Sequence, residues 1–246
     1  RERMRALIRS AGIVRVEDLR KDLKVSVATV RRDLEAMEDE GRVRRVHGGA
    51  ISMESRLEEA GFDTKTGLAS KEKRLIAAEA VKLISSGDSI FLDGGSTVME
   101  LARLLADRSD LTVVTNSLRA ATELANSRLR IILTGGELRL LSQTMVGPLT
   151  RAVLDKVRVD KAFMGTMGFS VEDGLTTTDP NEAFTKDLVQ KQARQVILLA
   201  DSRKWGKVSF SRVSGFEGVD VLITDKKFPA KDARILRKRD VKMRLV

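Results

Sequence analysis

The sequence predicts two folded parts: a small helical domain at the N-terminus and a larger α/β domain built on a mainly parallel sheet. Past residue 88, short apolar runs alternate with stretches of helical periodicity, which is the pattern of strand–helix–strand units. Several of these runs are continuously apolar, as in strands that are covered on both faces. The 246 residues accommodate a head of ~50 residues and a domain of ~180. We therefore divide the chain into 1–56, a connecting arm at 57–70, and 71–246.

Three helices are expected in the first forty residues. Helical periodicity runs over 4–11, 17–23 and 27–40. Ser26 is a natural N-cap for the third helix, because its hydroxyl can accept a backbone N–H of the first turn. Only the short segment 24–26 separates the second helix from the third, so this segment must be a tight turn. Two short helices with a tight turn before a third are the geometry of a helix-turn-helix.

The third predicted helix has the composition of a helix that reads DNA. In the major groove the first turns of such a helix face the bases, where hydroxyls contact base or phosphate and arginine grips guanine. The expected contacts are Ser26, Val27, Ala28, Thr29, Arg31 and Arg32. The segment 42–51 then predicts a hairpin, or wing, that turns at Gly48-Gly49. Its Arg44, Arg45 and His47 would lie against phosphates or in the minor groove.

Each of these features also has an ordinary interpretation. The arginines of the third helix could pair with Glu35 and Glu38 on a solvated face, and a three-helix head can bind protein. A single histidine such as His47 is commonly a surface residue. The complete order of helix, helix, tight turn, serine-capped basic helix and basic wing nevertheless favours a winged helix-turn-helix that binds DNA.

Two segments of the head resemble the DeoR family of bacterial sugar-metabolism regulators. They read Ser-Val-Ala-Thr-Val-Arg-Arg-Asp-Leu at 26–34 and Gly-Arg-Val-Arg-Arg-Val-His-Gly-Gly-Ala at 41–50. In that family the first segment is the recognition helix, and the second closes the wing. The resemblance implies that this chain binds an operator, usually as a repressor, through roughly 15–34.

The larger domain is expected to contain six strands with helices between them. Candidate strands cover 89–93, 111–115, 130–134, 161–165, 195–200 and 219–224. Candidate helices cover 72–84, 98–106, 118–125 and 182–193. Polar loops follow the first three strands, and the carboxyl ends of parallel strands share one crevice where ligands bind.

The loops after the first three strands have the chemistry of an anion pocket. They contain Asp93, Gly94, Gly95, Ser96 and Thr97, then Thr115, Asn116 and Ser117, then Thr134, Gly135 and Gly136. Hydroxyls and exposed backbone N–H groups suit a phosphate, and the first loop opens a helix whose dipole favours an anion. Such loops can also be nothing more than turns from strand to helix. Glu182 and Lys186 could extend the pocket or form an ordinary i,i+4 surface salt bridge.

The sensor domain of the DeoR family is similar to ribose-5-phosphate isomerase, and the likeness covers most of 70–225. The segment 93–97 resembles the phosphate loop of the isomerase, and 182–186 lies near its Arg-Glu-Lys segment. The segment 199–204, which ends in Lys204, resembles its Ala-Asp-Ser-Ser-Lys. The resemblance implies a phosphorylated sugar as effector, and no resident cofactor or metal.

This chain departs from the isomerases where their catalytic carboxylates lie. Those enzymes carry Asp-Gly-Ala-Asp-Glu after the equivalent of Asp160, whereas 164–168 reads Met-Gly-Thr-Met-Gly. Proton transfer between sugar carbons needs a positioned base, so we expect a sensor and not an enzyme. An isomerase or lyase with a DNA-binding head remains an alternative, and so does a nucleoid-type DNA binder with an empty pocket. The carboxylates left to the enzyme are Asp93, Asp160, Asp179 and Glu182.

Composition limits the partners and the compartment. The net charge of +10 suggests a polyanionic partner, yet 1–56 carries fourteen Lys/Arg against ten Asp/Glu, so motif order supports DNA binding better than charge does. We interpret the basic excess of 203–246 as a solvated surface. The absence of cysteine and the single histidine exclude disulfides and the usual zinc sites. No membrane span or signal peptide is visible, so we expect a cytoplasmic protein. We also expect a homo-oligomer, either a dimer or a tetramer, that binds operator DNA and a sugar phosphate.

Overall fold

The computed structural model describes residues 2–11, 13–40, 43–46, 48–52 and 67–246. The chain divides into two compact units, Arg1–Glu59 and Ala60–Val246. Each unit has its own apolar core. Among the described residues, no helix has the length and apolar composition that crossing a bilayer requires.

The N-terminal unit combines three helices with a three-stranded antiparallel sheet. The helices are α1 (Glu2–Ala11), α2 (Val16–Leu23) and α3 (Val27–Asp39), and the strands are β1 (Ile13–Arg15), β2 (Val43–Val46) and β3 (Gly49–Ser52). β3 lies between β1 and β2. The helices and the wing were predicted, but β1 was not, because three residues are too few to show the alternation of a strand.

Local chemistry explains where α3 begins and how the wing turns. The Ser26 Oγ accepts the backbone N–H of Thr29 at 3.1 Å, which confirms the predicted N-cap. Val30, Leu34 and Met37 are buried in the core of the unit. Gly48 turns the wing with φ of +77°. Gly49 is already part of β3, where an added Cβ would overlap the carbonyl oxygen of Val14.

The C-terminal unit contains twelve strands and six helices in its described part, besides short 3-10 turns. The strands are β4 (Ser89–Leu92), β5 (Thr112–Thr115), β6 (Arg130–Leu133), β7 (Glu137–Arg139), β8 (Thr144–Val146), β9 (Val159–Met164), β10 (Gly168–Ser170), β11 (Gly174–Thr177), β12 (Ala193–Leu199), β13 (Ser211–Ser214), β14 (Val221–Thr224) and β15 (Lys242–Leu245). The helices are α4 (Ser70–Val81), α5 (Ser96–Leu104), α6 (Leu118–Leu124), α7 (Arg151–Leu154), α8 (Pro180–Gln192) and α9 (Ala230–Arg237).

Seven of these strands form one parallel sheet in the order β15-β14-β12-β9-β4-β5-β6. The chain winds outward from β4 through β5 to β6, then returns to β9 and winds the other way. The strand order therefore reverses between β4 and β9, and ligands bind in parallel sheets at such a switch point. All six predicted strands belong to this sheet, which confirms the α/β class.

Both faces of the parallel sheet are covered. Ile90 and Leu92 lie in one apolar core with α4, α5 and α6, and Phe91 lies in a second core with α8 on the opposite face. This arrangement explains why the strands are continuously apolar. Two further sheets were not predicted: the hairpin β7–β8 and the antiparallel sheet β10-β11-β13. Their strands are only three or four residues long.

Candidate DNA-reading surface and ligand crevice

The first turns of α3 present an exposed surface. Ser26, Ala28, Arg31 and Arg32 are exposed, and Val27 and Thr29 are half-buried. Neither arginine forms an ion pair within the part of the chain that the structure describes. The interpretation in which they neutralise Glu35 and Glu38 is therefore wrong. Both guanidinium groups are available to an external anion.

Glu35 and Glu38 interact instead with Arg45 of the wing. Glu38 accepts the backbone N–H of Arg45 at 2.7 Å, and Glu35 Oε1 lies 3.4 Å from the Arg45 guanidinium. Since Arg45 is engaged within its own unit, a DNA contact by this residue would have to compete with two glutamates. Of Arg44 only the backbone is described, and His47 lies outside the described residues, so their predicted DNA contacts stay predictions.

The loop that follows β4 lies at the switch point of the sheet. Gly95 is the N-cap of α5 with φ of 142°, and no side chain caps the helix, so its first N–H groups face the loop. At Gly94 an added Cβ would overlap the methyl group of Thr144, and Gly94 O would lie 3.2 Å from a Cβ on Gly165. The buried Thr97 Oγ1 has no hydrogen-bond partner among the described residues. The loop is tightly packed, yet the N–H groups at the start of α5 and the Thr97 hydroxyl remain available to a ligand.

A buried ion pair crosses the switch point. Lys186 of α8 pairs with Asp93 through Nζ and Oδ2, and both side chains are less than 5 % exposed. Asp93 Oδ2 also accepts the backbone N–H of Gly165 at 2.9 Å, while Lys186 donates to the Gly165 carbonyl at 3.1 Å. Glu182 is buried too and accepts the Thr177 hydroxyl at 2.6 Å. The alternative of an ordinary surface salt bridge between Glu182 and Lys186 is therefore wrong.

The loop after β5 serves mainly as a turn into α6. The Thr115 hydroxyl donates to the Leu92 carbonyl at 2.6 Å, and Ser117 Oγ caps α6 by accepting the N–H of Ala120 at 3.2 Å. Asn116 differs, because its buried Oδ1 has no partner within the described residues. The hydroxyls of Thr115 and Ser117 therefore serve the fold. In this loop, the side-chain oxygen of Asn116 remains as an acceptor for a ligand.

The loop after β6 lies farther from the switch point. β6 is the edge strand, with β5 between it and β4. Thr134 is buried, but Gly135 and Gly136 are exposed and lead into the hairpin β7–β8. The structure therefore brings 93–97 and Lys186 together, and strand register places Asn116 next to Asp93 and Thr134 one strand farther out.

Other polar residues of the crevice edge were missed from the sequence. Arg139 of β7 lies 3.5 Å from the carboxylate of Asp179, the residue that caps α8. Thr144 of β8 packs against Gly94. These residues come from the unpredicted hairpin, so only the preceding Gly-Gly pair could have signalled a turn there.

A second buried charge lies where β12 ends, next to β9 in the sheet. Burial alone would raise the pKa of Asp201, but the hydrogen bond from Arg203 and the charges of Lys204 and Lys73 outweigh it and hold the pKa below its usual value. Lys204 donates to the Thr166 carbonyl at 2.7 Å. Lys73 of α4 is 3 % exposed. The burial of Lys73 was not predicted from the sequence, because a lysine in a helix is ordinarily solvated.

The comparisons with known proteins agree with this architecture. The family model described as the DeoR C-terminal sensor domain matches 68–226, and that of the DeoR-like helix-turn-helix domain matches 1–56. The chain belongs to the DeoR family. The suspected resemblance is thereby confirmed, and this DeoR-family protein is a DNA-binding transcription regulator and not an enzyme.

Curated relatives of this DeoR-family protein match along nearly the whole chain. An uncharacterised HTH-type regulator of Bacillus subtilis, YulB, is 36 % identical over 98 % of this chain and 93 % of its own. GlpR of Haloferax volcanii is 39 % identical over 85 % of this chain and 82 % of its own. The lactose phosphotransferase system repressor of Staphylococcus epidermidis is 37 % identical over 89 % and 88 %. Among solved structures, ribose-5-phosphate isomerase A of Methanocaldococcus jannaschii is 22 % identical, covers 54 % of this chain and 53 % of its own, and has a TM-score of 0.41.

Proposed function

We propose that this DeoR-family regulator represses a sugar-catabolism operon and that a phosphorylated sugar in the crevice controls its affinity for the operator. Relatives whose names specify a role include a putative aga operon repressor of Escherichia coli and the lactose phosphotransferase system repressor. Since its partner is chromosomal DNA, the protein acts in the cytoplasm as a homo-oligomer that presents paired heads to two half-sites.

The exposed first turns of α3 support the reading of DNA. A serine-capped helix whose Arg31 and Arg32 form no ion pair with the other described residues can place them against guanine or phosphate. Arg45 contributes less in this proposal, because its interactions with Glu35 and Glu38 would have to be exchanged for those with DNA.

The loop 93–97 at the switch point supports the phosphate site. It offers the N-terminus of α5, which no side chain caps, and the hydroxyl of Thr97, which has no hydrogen-bond partner among the described residues, and these groups suit a phosphate oxygen. Lys186 adds a positive charge, but that charge is already shared with Asp93. A bound phosphate would therefore compete with the Asp93 carboxylate for the same ammonium group.

This competition offers a physical basis for control. A ligand that weakens the Lys186–Asp93 pair changes the link between α8 and the loop after β4. If the DNA-competent and incompetent arrangements hold this link differently, the ligand binds them unequally and shifts their populations.

Operator binding is tested by gel shift with DNA from upstream of the genes that neighbour its own. We expect Arg31→Ala or Arg32→Ala to weaken binding by ~1–3 kcal/mol, and we expect affinity to fall as salt rises. Arg74→Ala removes an exposed arginine of the C-terminal unit and is the matched control. Equal affinity for unrelated DNA would contradict operator recognition, and unchanged affinity in both α3 variants would contradict this reading surface.

Effector binding is tested by thermal shift with a panel of pentose and hexose phosphates and the same sugars without phosphate. A ligand at a hundred times its Kd stabilises the unit by ~2.7 kcal/mol. Thr97→Val, which keeps the shape and removes the hydroxyl, should reduce the shift. No shift with any phosphate would favour a DNA binder with an empty pocket, and turnover in a coupled isomerase assay would favour the enzyme.

A further inference from the structure

The excess positive charge of the C-terminal unit is concentrated in one segment. Residues 60–225 carry 22 Lys/Arg against 21 Asp/Glu and are close to neutral, whereas 226–246 carries nine Lys/Arg against two Asp/Glu. This segment contains α9 and the edge strand β15, which pack against each other. The excess charge therefore lies along one edge of the parallel sheet.

Most of these cations have no anionic partner in the fold. Lys227 pairs with Glu72 at 2.9 Å, and Arg244 pairs with Glu79 at 2.7 Å. Six others are exposed and form no ion pair with any residue that the structure describes. We call these six the basic edge: Lys226, Lys231, Arg234, Arg237, Lys238 and Lys242.

The requirements of the fold do not explain the basic face of α9. Lys231, Arg234 and Lys238 follow i, i+3 and i+7 spacing, so they share the solvent side of the helix, opposite the buried Ala233 and Leu236. Like charges three or four residues apart repel each other, and a cation in the first turn, such as Lys231, opposes the helix dipole. An external anion would relieve both effects.

The composition of the basic edge suits a nucleic-acid backbone better than a protein surface. Protein interfaces are depleted of lysine and place aromatic or apolar residues at their centre. Four of the six residues here are lysines, and α9 exposes no large apolar side chain. Duplex DNA carries one phosphate charge per ~1.7 Å of its axis and releases counterions when Lys and Arg neutralise it. Since the chain is a DNA-binding regulator, duplex DNA is the polyanion that it meets.

We infer that the basic edge is a second DNA-binding surface, which contacts the phosphate backbone of duplex DNA without reading its bases. Long Lys and Arg side chains contact phosphates whatever the sequence, whereas base reading belongs to α3. The basic edge thus adds affinity and salt dependence to DNA binding, but no sequence preference. This inference goes beyond the proposed function and requires neither the sugar effector nor a particular operator.

Binding of the full chain to a random-sequence DNA duplex, measured by fluorescence anisotropy over a salt series, tests the basic edge. Arg234→Gln with Arg237→Gln removes two phosphate contacts, so the slope of log affinity against log salt should fall in magnitude by ~2. Affinity at low salt should fall by at least about tenfold. Lys231→Gln with Lys242→Gln should have the same effect from the first turn of α9 and from β15. Because the two pairs occupy different elements and turns, one local distortion cannot explain both results.

The matched control removes two arginines from the opposite edge of the sheet. Arg128 and Arg130, just before and at the start of β6, are exposed and form no ion pair with any described residue. Arg128→Gln with Arg130→Gln should leave the slope unchanged. Urea unfolding followed by Trp205, whose indole N–H donates to Asp232 of α9, checks that α9 remains docked in each variant. An unchanged slope in either basic-edge pair, or an equal fall in the control, would overturn the inference.

DNA from upstream of the neighbouring genes separates the basic edge from α3. The basic-edge variants should weaken binding to this DNA and to random DNA by the same factor, because phosphate contacts carry no sequence information. Arg31→Ala should instead lower the ratio of the two affinities. A basic-edge variant that lowers this ratio would show base reading and overturn the inference. An unchanged ratio in Arg31→Ala would count against the proposed reading surface and leave the basic edge standing.

Discussion

The surface of α3 and the crevice of the sheet use charged residues in opposite ways. Arg31 and Arg32 are exposed, come from one helix and lack internal partners among the described residues. Lys186 and Asp93 are buried, come from positions 93 residues apart and satisfy each other. The α3 surface can bind DNA as it stands, whereas the crevice must rearrange the contact between Lys186 and Asp93 to bind a phosphate.

This difference predicts how function and stability separate. Substitutions on the exposed face of α3 should alter DNA binding with little effect on folding, since surface changes usually cost less than about 0.5 kcal/mol. Substitution of Lys186 or Asp93 in the crevice should affect folding first, because loss of either residue leaves the other buried without its partner.

The strongest test of the comparison is Lys186→Met. It leaves the Asp93 carboxylate buried without its cation, so we expect a loss of ~3–5 kcal/mol in the free energy of unfolding. Trp205, the single tryptophan, lies in the C-terminal unit and reports its urea unfolding by fluorescence. Arg31→Ala should leave this transition unchanged.

The double variant Asp93→Asn with Lys186→Met shows whether charge is responsible. Since it removes both members of the pair, it should recover a large part of the stability that Lys186→Met loses. If the double variant is less stable than Lys186→Met, packing and not the unpaired carboxylate determines the cost, and the contrast with α3 fails.

The same contrast explains what could be predicted from the sequence. The exposed first turns of α3 and their cap lie within 26–34, so the motif of the head was visible along the chain. The loop 93–97 was also visible, because strand, glycines and helix follow one another. Lys73 and Arg139 were not, since they reach the edge of the sheet from other parts of the fold. That Lys186 pairs with Asp93 depends on the order of strands, which no local pattern shows.

The basic tail shows a second limit of the sequence. We interpreted the excess charge of 203–246 as a solvated surface, yet this region also contains α9 and the edge strand β15. Ala233 and Leu236 of α9 are buried in the core. β15 alternates Lys242 and Arg244 with Met243 and Leu245, as suits an edge strand. Because basic residues dominate the composition of this region, the buried apolar residues of α9 were not predicted.

A smaller effect is expected when the cap of α3 is removed. Ser26→Ala loses the bond from the Thr29 N–H, so the N-terminal unit should lose ~1 kcal/mol of stability. Thermal unfolding followed by far-UV circular dichroism measures this loss, and Ser26→Asn, which can still cap, should retain most of the stability. A loss in Ser26→Asn as large as in Ser26→Ala would show that the cap is not the cause. The fluorescence transition of Trp205 should not move, because the cap lies in the other unit.

The smallest expected effect concerns the pH dependence of the C-terminal unit. The lowered pKa of Asp201 means that its carboxylate is stabilised in the folded state by Arg203, Lys204 and Lys73 against the cost of burial. Stability from this group is fully present above the unfolded pKa of ~3.9 and is lost as the pH falls through the lower folded pKa. Between pH 6 and 3, Asp201→Asn should therefore lose stability less steeply than the parent chain in urea unfolding followed by Trp205. Parallel slopes would mean that this buried charge contributes nothing that protonation removes.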